Sequence, residues 1–197
     1  MNDSDTNIIK PGQGYLDLPV SKFVLWTLPF WKSLNCTPNT LTTLGLICSI
    51  LCIYFLYKRN VILSIIFLLL RVYFDYADGL YARKYKQFSV FGDWYDHITD
   101  WMFAIGFLSA FIFSKYSKKN KHLQYWFIGI LVSFFLLNTV QNSCVEKEYK
   151  KHKKDKTSIS ELSGMCPLSL KPVLDIFDTT SMYVCMIIII VLFCKYK

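Results

Sequence analysis

The chain has 197 residues, of which 53% are hydrophobic and 17% aromatic, and its mean hydropathy is +0.32. This composition is too apolar for an ordinary soluble domain and indicates an integral membrane protein. The formal net charge of +8 would suggest a nucleic acid partner in a soluble chain, but the lysines cluster between apolar runs, where they orient helices and meet anionic lipid. We therefore expect no binding of nucleic acid.

The seven cysteines form no metal-type pairs, and most of them lie in apolar runs. We expect reduced thiols that pack as small core side chains. The first predicted segment, residues 1–14, is a polar tail that lacks the basic-then-apolar order of a cleavable signal. The first membrane helix is therefore expected to serve as the insertion signal.

The next predicted element is an amphipathic helix within residues 15–36. It alternates aromatic and aliphatic residues and carries two lysines, a pattern that is typical of a helix lying in the membrane interface. The sequence NCTPN, residues 35–39, ends this helix and begins the next one. Pro38 is the helix breaker, and either Thr37 or Asn39 is expected to cap the helix that follows.

Residues 37–197 are predicted to form a transmembrane domain, because they contain five apolar segments that approach the ~20 residues needed to cross a bilayer. The segments are Leu41 to Tyr57, Val61 to Leu80, Trp94 to Tyr116, Leu123 to Cys144 and Val173 to Cys194. Residues 145–172 carry a lysine run and then Ser, Gly and Pro, so they are predicted to be a loop. The predicted fold is all-α: a polytopic transmembrane helical bundle of about five to six spans, preceded by the interfacial helix.

The distribution of Lys and Arg predicts the orientation of this bundle. If the N-terminus is cytoplasmic, the cytoplasmic side collects most of the basic residues, including those that follow the second span and the lysine run after the fourth. We expect a multi-pass integral membrane protein with its site facing the cytoplasm, in an endoplasmic-reticulum-type membrane if the cell is eukaryotic.

Four aspartates lie where the second span ends and the third begins: Asp75, Asp78, Asp96 and Asp100. The members of each pair are three or four residues apart, so each pair occupies one face of its helix. Small residues share those faces, and they are Gly79, Ala82 and Gly92. Any one of these residues has an ordinary explanation as a cap or a packing residue, but four acids at two helical phases beside small residues indicate a functional site.

The chemistry of this group points to metal ions and phosphate. Four negative charges match two divalent cations, and an all-oxygen ligand set favours Mg²⁺, Mn²⁺ or Ca²⁺ over zinc. The small residues leave room for a bulky ligand, and Arg83 offers a fork suited to phosphate oxygens. The pattern therefore predicts a site for a pyrophosphate-containing substrate, with metal ions at the attacked phosphorus and the leaving oxygen.

The run Asp75-x2-Asp78-Gly79-x2-Ala82-Arg83-x8-Gly92-x3-Asp96-x3-Asp100 resembles the signature of the CDP-alcohol phosphotransferases, the class-I CDP-alcohol phosphatidyltransferase family. The resemblance implies a membrane enzyme that moves a phospho-alcohol from a CDP-linked donor to a hydroxyl acceptor and releases CMP, with two Mg²⁺ or Mn²⁺ ions. It implies metal ligands at Asp75, Asp78, Asp96 and Asp100. It also implies CDP-alcohol contacts at Gly79, Ala82, Arg83 and Gly92.

The catalytic base is expected to be Asp100 or His97. The resemblance places Asp100 at the second metal and at or near the base. His97 lies three residues before Asp100 and four after Asp93, so a carboxylate could orient its ring while the other nitrogen takes the acceptor's proton. Arg71, four residues before Asp75, is interpreted mainly as a charge that neutralises the cluster.

The substrates are predicted from a finer resemblance. The segment SKFVLWTLPFW before TPNTLTTLGL, together with the pair Asp96-His97, is most similar to the eukaryotic choline and ethanolamine phosphotransferases. This favours CDP-ethanolamine or CDP-choline as donor and diacylglycerol as acceptor. The alternative is a CDP-diacylglycerol donor with inositol or glycerol phosphate as acceptor. Two other classes stay open, a cation transporter and an inactive membrane scaffold, and the expected partners are the substrates, membrane lipids and a second copy in a homodimer.

Overall fold

The computed structural model describes residues 8–113, 121–152 and 164–195, and all regular secondary structure in these ranges is helical. The predicted all-α fold is therefore confirmed for the described part of the chain. The helices are α1 (Asp17–Ser33), α2 (Pro38–Tyr57), α3 (Val61–Lys84), α4 (Val90–Ile112), α5 (Lys121–His152), the short α6 (Lys171–Leu174) and α7 (Thr179–Lys195), with a 3₁₀ turn (Leu168–Leu170) before α6.

Two of the described helices are long and apolar enough to cross a membrane: α2 and, within α5, Lys121–Tyr149. The apolar part of α7, Thr179–Cys194, is shorter. Helices α3 and α4 carry the aspartates of the predicted site, whose charges lower the hydropathy of both helices. A membrane protein is thus supported by composition, while the number of spans stays a prediction.

Side-chain caps begin the helices that carry the site. Thr37 caps α2, since its hydroxyl accepts a hydrogen bond from the backbone N–H of Thr40 at 3.2 Å, and Pro38 occupies the first turn. Of the two caps that the sequence left open, the structure selects Thr37. Asn60 and Ser89 cap α3 and α4 in the same way. These caps hold the short connections, residues 58–60 and 85–89, and thereby the register of α3 against α4.

Helix α2 packs against both α3 and α4, whereas α3 and α4 make few direct backbone contacts with each other. Two apolar cores lie at opposite ends of the α2–α3 pair. One contains Cys52, Leu68 and the aromatic residues of α4 and α7, and the other contains Leu41 and Tyr81 beneath α1. The aspartates of α3 lie toward the second core, so α1 covers the bundle at the same end as the predicted site.

Helices α1 and α7 begin side by side and cap each other. Asp178, which directly precedes α7, accepts hydrogen bonds from the backbone N–H groups of Leu16 and Asp17 at 2.7 and 3.0 Å. In return, Asp17 accepts a hydrogen bond from the backbone N–H of Thr180 at 2.8 Å and another from the hydroxyl of Tyr76. Each acid satisfies donors at the other helix's N-terminus. This reciprocal cap joins α1, the predicted interfacial helix, to the N-terminus of α7.

Two predicted boundaries are wrong. The prediction of a loop over residues 145–172 fails at its start, because α5 continues to His152; residues 153–163 lie outside the described ranges. The predicted span from Val173 to Cys194 is divided, since α6 ends at Leu174 and α7 begins only after Asp178, whose carboxylate also accepts a hydrogen bond from the N–H of Ser181 at 2.8 Å. Hydropathy did not reveal this break, because the apolar residues continue on both sides of it.

The expectation of reduced thiols is wrong for one pair. Cys144 and Cys166 form a disulfide across 22 residues, with their Cα atoms 4.8 Å apart. The chain returns along α5 after residues outside the described ranges, and this return brings the two thiols together. The sequence spacing contained no sign of it. The expectation holds for Cys48 and Cys52, which are free and buried.

Candidate active site

A cavity of about 730 Å³ is bordered by the segment before α1, the first turns of α2 and faces of α3, α4, α5 and α7. Every residue of the predicted signature lines it: Asp75, Asp78, Gly79, Ala82, Arg83, Gly92, Asp96 and Asp100. His97 lines it as well. The structure therefore brings together all the residues that the sequence placed at the site, while their individual roles stay predictions.

Asp78 is the most enclosed of the four aspartates, with 5% of its surface exposed. The hydroxyl of Thr42, in the second turn of α2, donates a hydrogen bond to its Oδ2 at 2.6 Å. The same hydroxyl also contacts the carbonyl of Pro38 at 3.2 Å. Helix α2 thus orients a carboxylate of α3. Thr42 lies within the resembling segment TPNTLTTLGL, but nothing in its spacing assigned it a partner.

Arg71 connects three helices beneath the acids. Its guanidinium donates a hydrogen bond to Asp100 and lies 3.5 Å from Asp75 Oδ1. It also donates to the hydroxyl of Tyr183 in α7, and it lies 4.4 Å from the ring centre of Phe103. The expected neutralising position of Arg71 is therefore observed. Tyr183 was not anticipated, because it lies more than a hundred residues after Arg71, in an apolar span to which the sequence assigned no role at the site.

Two acids and a histidine of α4 form a group of possible metal ligands among the described residues. One ligand atom from each of Asp96, His97 and Asp100 lies within 4.8 Å of the others. His97 Nε2 is also 3.8 Å from Asp93 Oδ1, one helical turn earlier. A carboxylate thus neighbours His97 on either side along the helix. Whether His97 or Asp100 acts as the base stays a prediction.

The donor set fits a hard divalent cation. Carboxylates from two helices face one cavity, and the described residues that line it include no cysteine. Oxygen-rich sites of this kind suit Mg²⁺ or Mn²⁺ rather than a thiolate-loving metal. Arg71 balances part of the negative charge, and a bound cation would balance more of it. The ion's identity and the number of ions stay predictions.

Both glycines of the signature have neighbours inside the protein itself. A Cβ added to Gly79 would lie 3.3 Å from Nη1 of Arg83, so the guanidinium crosses directly over this glycine. A Cβ added to Gly92 would lie 2.8 Å from Asn39 Oδ1 and 2.9 Å from Ser89 Oγ. From the sequence, these spaces were expected to hold only the substrate. In the structure, the absence of a side chain at Gly79 also leaves room for the guanidinium of Arg83. At Gly92 it leaves room for Ser89, the cap of α4.

Sequence reasoning missed a second wall of the cavity. It is formed by polar residues of α5 and of the segment before α1, namely Lys10, Gln13, Asn138, Asn142, Glu146 and Tyr149. Lys10 forms an ion pair with Glu146, and its Nζ lies 5.5 Å from the ring centre of Tyr149. Burial lowers the pKa of Lys10, and the carboxylate of Glu146 opposes that shift. One signal was available, since Asn138, Asn142 and Glu146 recur every four residues along α5.

A family model matches most of the chain, and two curated relatives match smaller parts of it. A family model described as CDP-alcohol phosphatidyltransferase matches residues 35–195. The chain is 29% identical over 92 residues to the CDP-diacylglycerol–glycerol-3-phosphate 3-phosphatidyltransferase of Aquifex aeolicus, a match covering 47% of this chain and 52% of that protein. It is 38% identical over 68 residues to the archaetidylinositol phosphate synthase of Pyrococcus horikoshii, covering 34% of this chain and 36% of that protein.

These two matches define how far the comparison reaches. The chain aligns with about half of the first curated relative and about a third of the second. No solved structure gives a significant match to the chain.

Proposed function

Because the chain belongs to the CDP-alcohol phosphatidyltransferase family, we propose that it transfers a substituted phosphate group from a CDP-linked donor to a hydroxyl acceptor and releases CMP. One observation carries the proposal: the whole eight-residue signature faces a single cavity large enough for substrates. Ligand sites in proteins are commonly clefts of about 300–1,000 Å³, and this cavity falls within that range.

We further propose CDP-diacylglycerol as the donor and a small soluble alcohol, inositol or glycerol phosphate, as the acceptor. The names of the two curated relatives favour this pair over CDP-choline or CDP-ethanolamine with diacylglycerol. The preference for aminoalcohol donors rested on the segment before α2 and on the pair Asp96-His97. The polar wall with Gln13, Asn138 and Asn142 also suits a small hydroxylated acceptor, because amides can both donate to and accept from hydroxyl groups.

The proposed reaction exchanges one phosphorus–oxygen bond for another. The acceptor oxygen attacks the β-phosphorus, which carries the diacylglycerol oxygen, and the bond from that phosphorus to the departing CMP breaks. His97 or Asp100 takes the acceptor's proton. Arg83 pairs with phosphate oxygens, and Thr42 keeps Asp78 oriented. When bound by Asp75, Asp78, Asp96 and Asp100, Mg²⁺ or Mn²⁺ would neutralise charge on the phosphoryl oxygens.

The proposed membrane arrangement places the lipid part of the donor beside exposed aromatic residues. Trp94 and Trp101 line the cavity, yet 58% and 62% of their surfaces are exposed on the described protein. We propose that acyl chains leave the cavity past these rings into the bilayer. In this arrangement α2, α3, α4, α5 and α7 span the membrane, α1 lies in the interface, and the site faces the cytoplasm.

The domain limits follow the same proposal, with residues 37–197 as the transferase and residues 15–36 as the interfacial helix. The segment assigned as a polar tail, residues 1–14, needs one amendment. Its described part, residues 8–14, packs against the bundle, and Ile9 is buried in the core beneath α1. An endoplasmic-reticulum-type membrane and a homodimer remain part of the proposal.

The test is CMP release by the purified full chain in detergent. CDP-diacylglycerol is supplied with glycerol 3-phosphate, inositol or inositol phosphate, and in parallel CDP-choline and CDP-ethanolamine are supplied with diacylglycerol. We expect release from CDP-diacylglycerol that stops with EDTA and returns with Mg²⁺ or Mn²⁺. Release from the aminoalcohol donors alone would restore the first substrate prediction. A folded protein that releases no CMP from any pair would favour the scaffold or the transporter.

A further inference from the structure

The segment before α1 is tied to the site although it lies outside the family match, which begins at residue 35. The backbone carbonyl of Ile8 accepts a hydrogen bond from Nε of Arg83 at 2.8 Å. The side chain of Gln13 accepts one from Ser21 at 3.1 Å, and the backbone N–H of Tyr15 donates to Asp175 at 3.3 Å. With Ile9 buried, these contacts hold the segment across one side of the cavity.

The hydrogen bond from Arg83 to Ile8 determines which N–H donors of the arginine remain available to bind a ligand. Nε is used by the carbonyl, and this is the only side-chain hydrogen bond of Arg83 in the described part of the chain. The outer nitrogens lie over Gly79, where a Cβ would be 3.3 Å from Nη1 and 3.6 Å from Nη2. The guanidinium thus keeps its two-pronged end available on the side of the cavity that holds the aspartates. That end matches the geometry of a phosphate group.

Lys10 brings a second cation to the same cavity. Its Nζ pairs with Glu146, yet 24% of the side chain remains exposed and it lines the cavity wall. An ammonium group has three donors, so the pair with one carboxylate leaves donors for another anion. Arg83 Nε donates to the carbonyl of Ile8, two residues before Lys10, and both side chains line the cavity, so the two cations enter the same part of it.

We propose that Lys10 and Arg83 together form a phosphate-binding subsite that the segment before α1 builds. The inference rests on the proposed function, because that function supplies phosphate groups from two sources. One is the pyrophosphate of the CDP-linked donor, and the other is the phosphate of a phosphorylated acceptor. In either case the two cations hold an anion beside the aspartates, and the aspartates remain available to bind metal ions.

A different role for Lys10 would be structural, in which its pair with Glu146 only fastens the segment to α5. The two roles separate when both charges are removed. Lys10→Gln alone removes one cation from the surroundings of Glu146, which is 3% exposed, and is expected to destabilise the protein. The double variant Lys10→Gln/Glu146→Gln replaces the ion pair by two neutral amides that can still hydrogen-bond to each other, so it is expected to fold.

The experiment measures equilibrium binding to the full chain in detergent with Mg²⁺ present. The ligands are CDP compared with cytidine, and glycerol 3-phosphate compared with glycerol. The proteins are the wild type, the double variant, Lys10→Arg and the control Lys22→Gln, which removes an exposed lysine of α1. Thermal unfolding of each protein verifies that it folds.

We expect the double variant to bind one of the two phosphorylated ligands roughly 10- to 100-fold more weakly, which is the usual effect of losing a charge-assisted hydrogen bond. Cytidine and glycerol should bind as before, Lys10→Arg should retain most of the binding, and Lys22→Gln should have no effect. A loss with CDP identifies the donor as the source of the phosphate, and a loss with glycerol 3-phosphate identifies the acceptor. Unchanged binding of both phosphorylated ligands overturns the subsite.

Turnover separates this result from the proposed function. A wild type that releases CMP, with a folded double variant that binds both phosphorylated ligands normally, leaves the transferase proposal standing and removes the subsite. A wild type that binds phosphate through Lys10 but releases no CMP from any donor removes the transferase proposal instead.

Discussion

The two walls of the cavity differ in how their residues reach it. On one wall, the aspartates of α3 and α4 lie within 26 consecutive residues, Asp75 to Asp100, and helical periodicity aligns each pair on one face of its helix. On the other wall, Lys10 meets Glu146 across 136 residues, so only the packing of the whole chain brings them together. The first wall carries the signature of the matched family, whereas Lys10 and Gln13 of the second wall precede the matched residues 35–195. A local motif therefore describes the first wall, and only the folded chain assembles the second.

The largest effect is expected from the signature wall. Asp78→Asn keeps the shape of the side chain and removes a charge, so we expect CMP release to fall by at least about 10³-fold, since site electrostatics commonly supply that much. The measurement is CMP release from CDP-diacylglycerol, with thermal unfolding to show that the variant folds. Glu148→Gln is the matched control, because it also removes one negative charge, and Glu148 pairs with Lys171 and is not among the described residues that line the cavity. If both variants lose activity equally, total charge rather than the signature is responsible.

The second effect concerns the base. The two candidates are His97 and Asp100, and His97 is tested first because the carboxylate of Asp93, 3.8 Å from its Nε2, can orient the ring. We expect His97→Ala to lower turnover by about 10²- to 10⁴-fold, the usual contribution of a general base, with little change in donor KM. The acid limb of the pH–rate profile should disappear as well.

The comparison variant for the base is Asp100→Asn, measured at several Mg²⁺ concentrations, because this change also weakens a predicted metal ligand. A His97→Ala enzyme with normal turnover, together with an Asp100→Asn enzyme that excess Mg²⁺ does not rescue, would assign the base to Asp100.

A smaller effect tests whether α2 supports the signature. Thr42→Val retains the branched shape but removes the hydroxyl that donates to Asp78 at 2.6 Å. We expect kcat to fall roughly 5- to 30-fold, which corresponds to one hydrogen bond of about 1–2 kcal/mol, while the melting temperature changes little. Thr43→Val is the control, since Thr43 is the exposed neighbour on the same helix. Equal activity of the two variants would show that Asp78 holds its position without α2.

The smallest effect concerns the reciprocal cap between α1 and α7, which only tertiary structure creates. Burial raises the pKa of Asp17 above its ordinary value of 3.8, and the hydrogen bonds from Tyr76 and Thr180 oppose this shift. A carboxyl with a raised pKa binds its proton more tightly in the folded state, so stability falls as pH rises from the unfolded pKa through the folded one. Asp17→Asn removes that loss, and its amide oxygen can still accept both hydrogen bonds.

We therefore expect Asp17→Asn to match the wild type at about pH 3.5 and to melt a few degrees higher at pH 7. The measurement is thermal unfolding in detergent across this pH range. Asp178→Asn is the contrasting variant. Both carboxylate oxygens of Asp178 accept backbone hydrogen bonds, so an amide cannot replace them and stability should fall at neutral pH. If the difference in melting temperature between Asp17→Asn and the wild type is the same at about pH 3.5 and pH 7, the predicted effect of the raised pKa is wrong.

The sequence predicted the signature wall well, for a reason that particular residues make clear. Asp75, Asp78, Asp96 and Asp100 lie on regular helices, where spacing determines which side chains share a face. The same reasoning did not reach Tyr183, the disulfide between Cys144 and Cys166, or the break before Asp178. Each of these depends on a contact between distant segments, and hydropathy and spacing describe only neighbours along the chain.

The sequence by itself determined an apolar helical chain, the convergence of four carboxylates on two helix faces, and the family to which that pattern belongs. Local periodicity and composition suffice for the first two features, because backbone geometry converts sequence spacing directly into position, whereas the family follows from the resemblance of the signature residues. Only the tertiary structure decided that Thr42 orients Asp78, that Arg71 joins α3 to α4 and α7, and that Lys10 enters the cavity from a segment interpreted as a tail. The physical reason is that such contacts arise when distant surfaces pack together, and many partners with similar local sequence could have met instead.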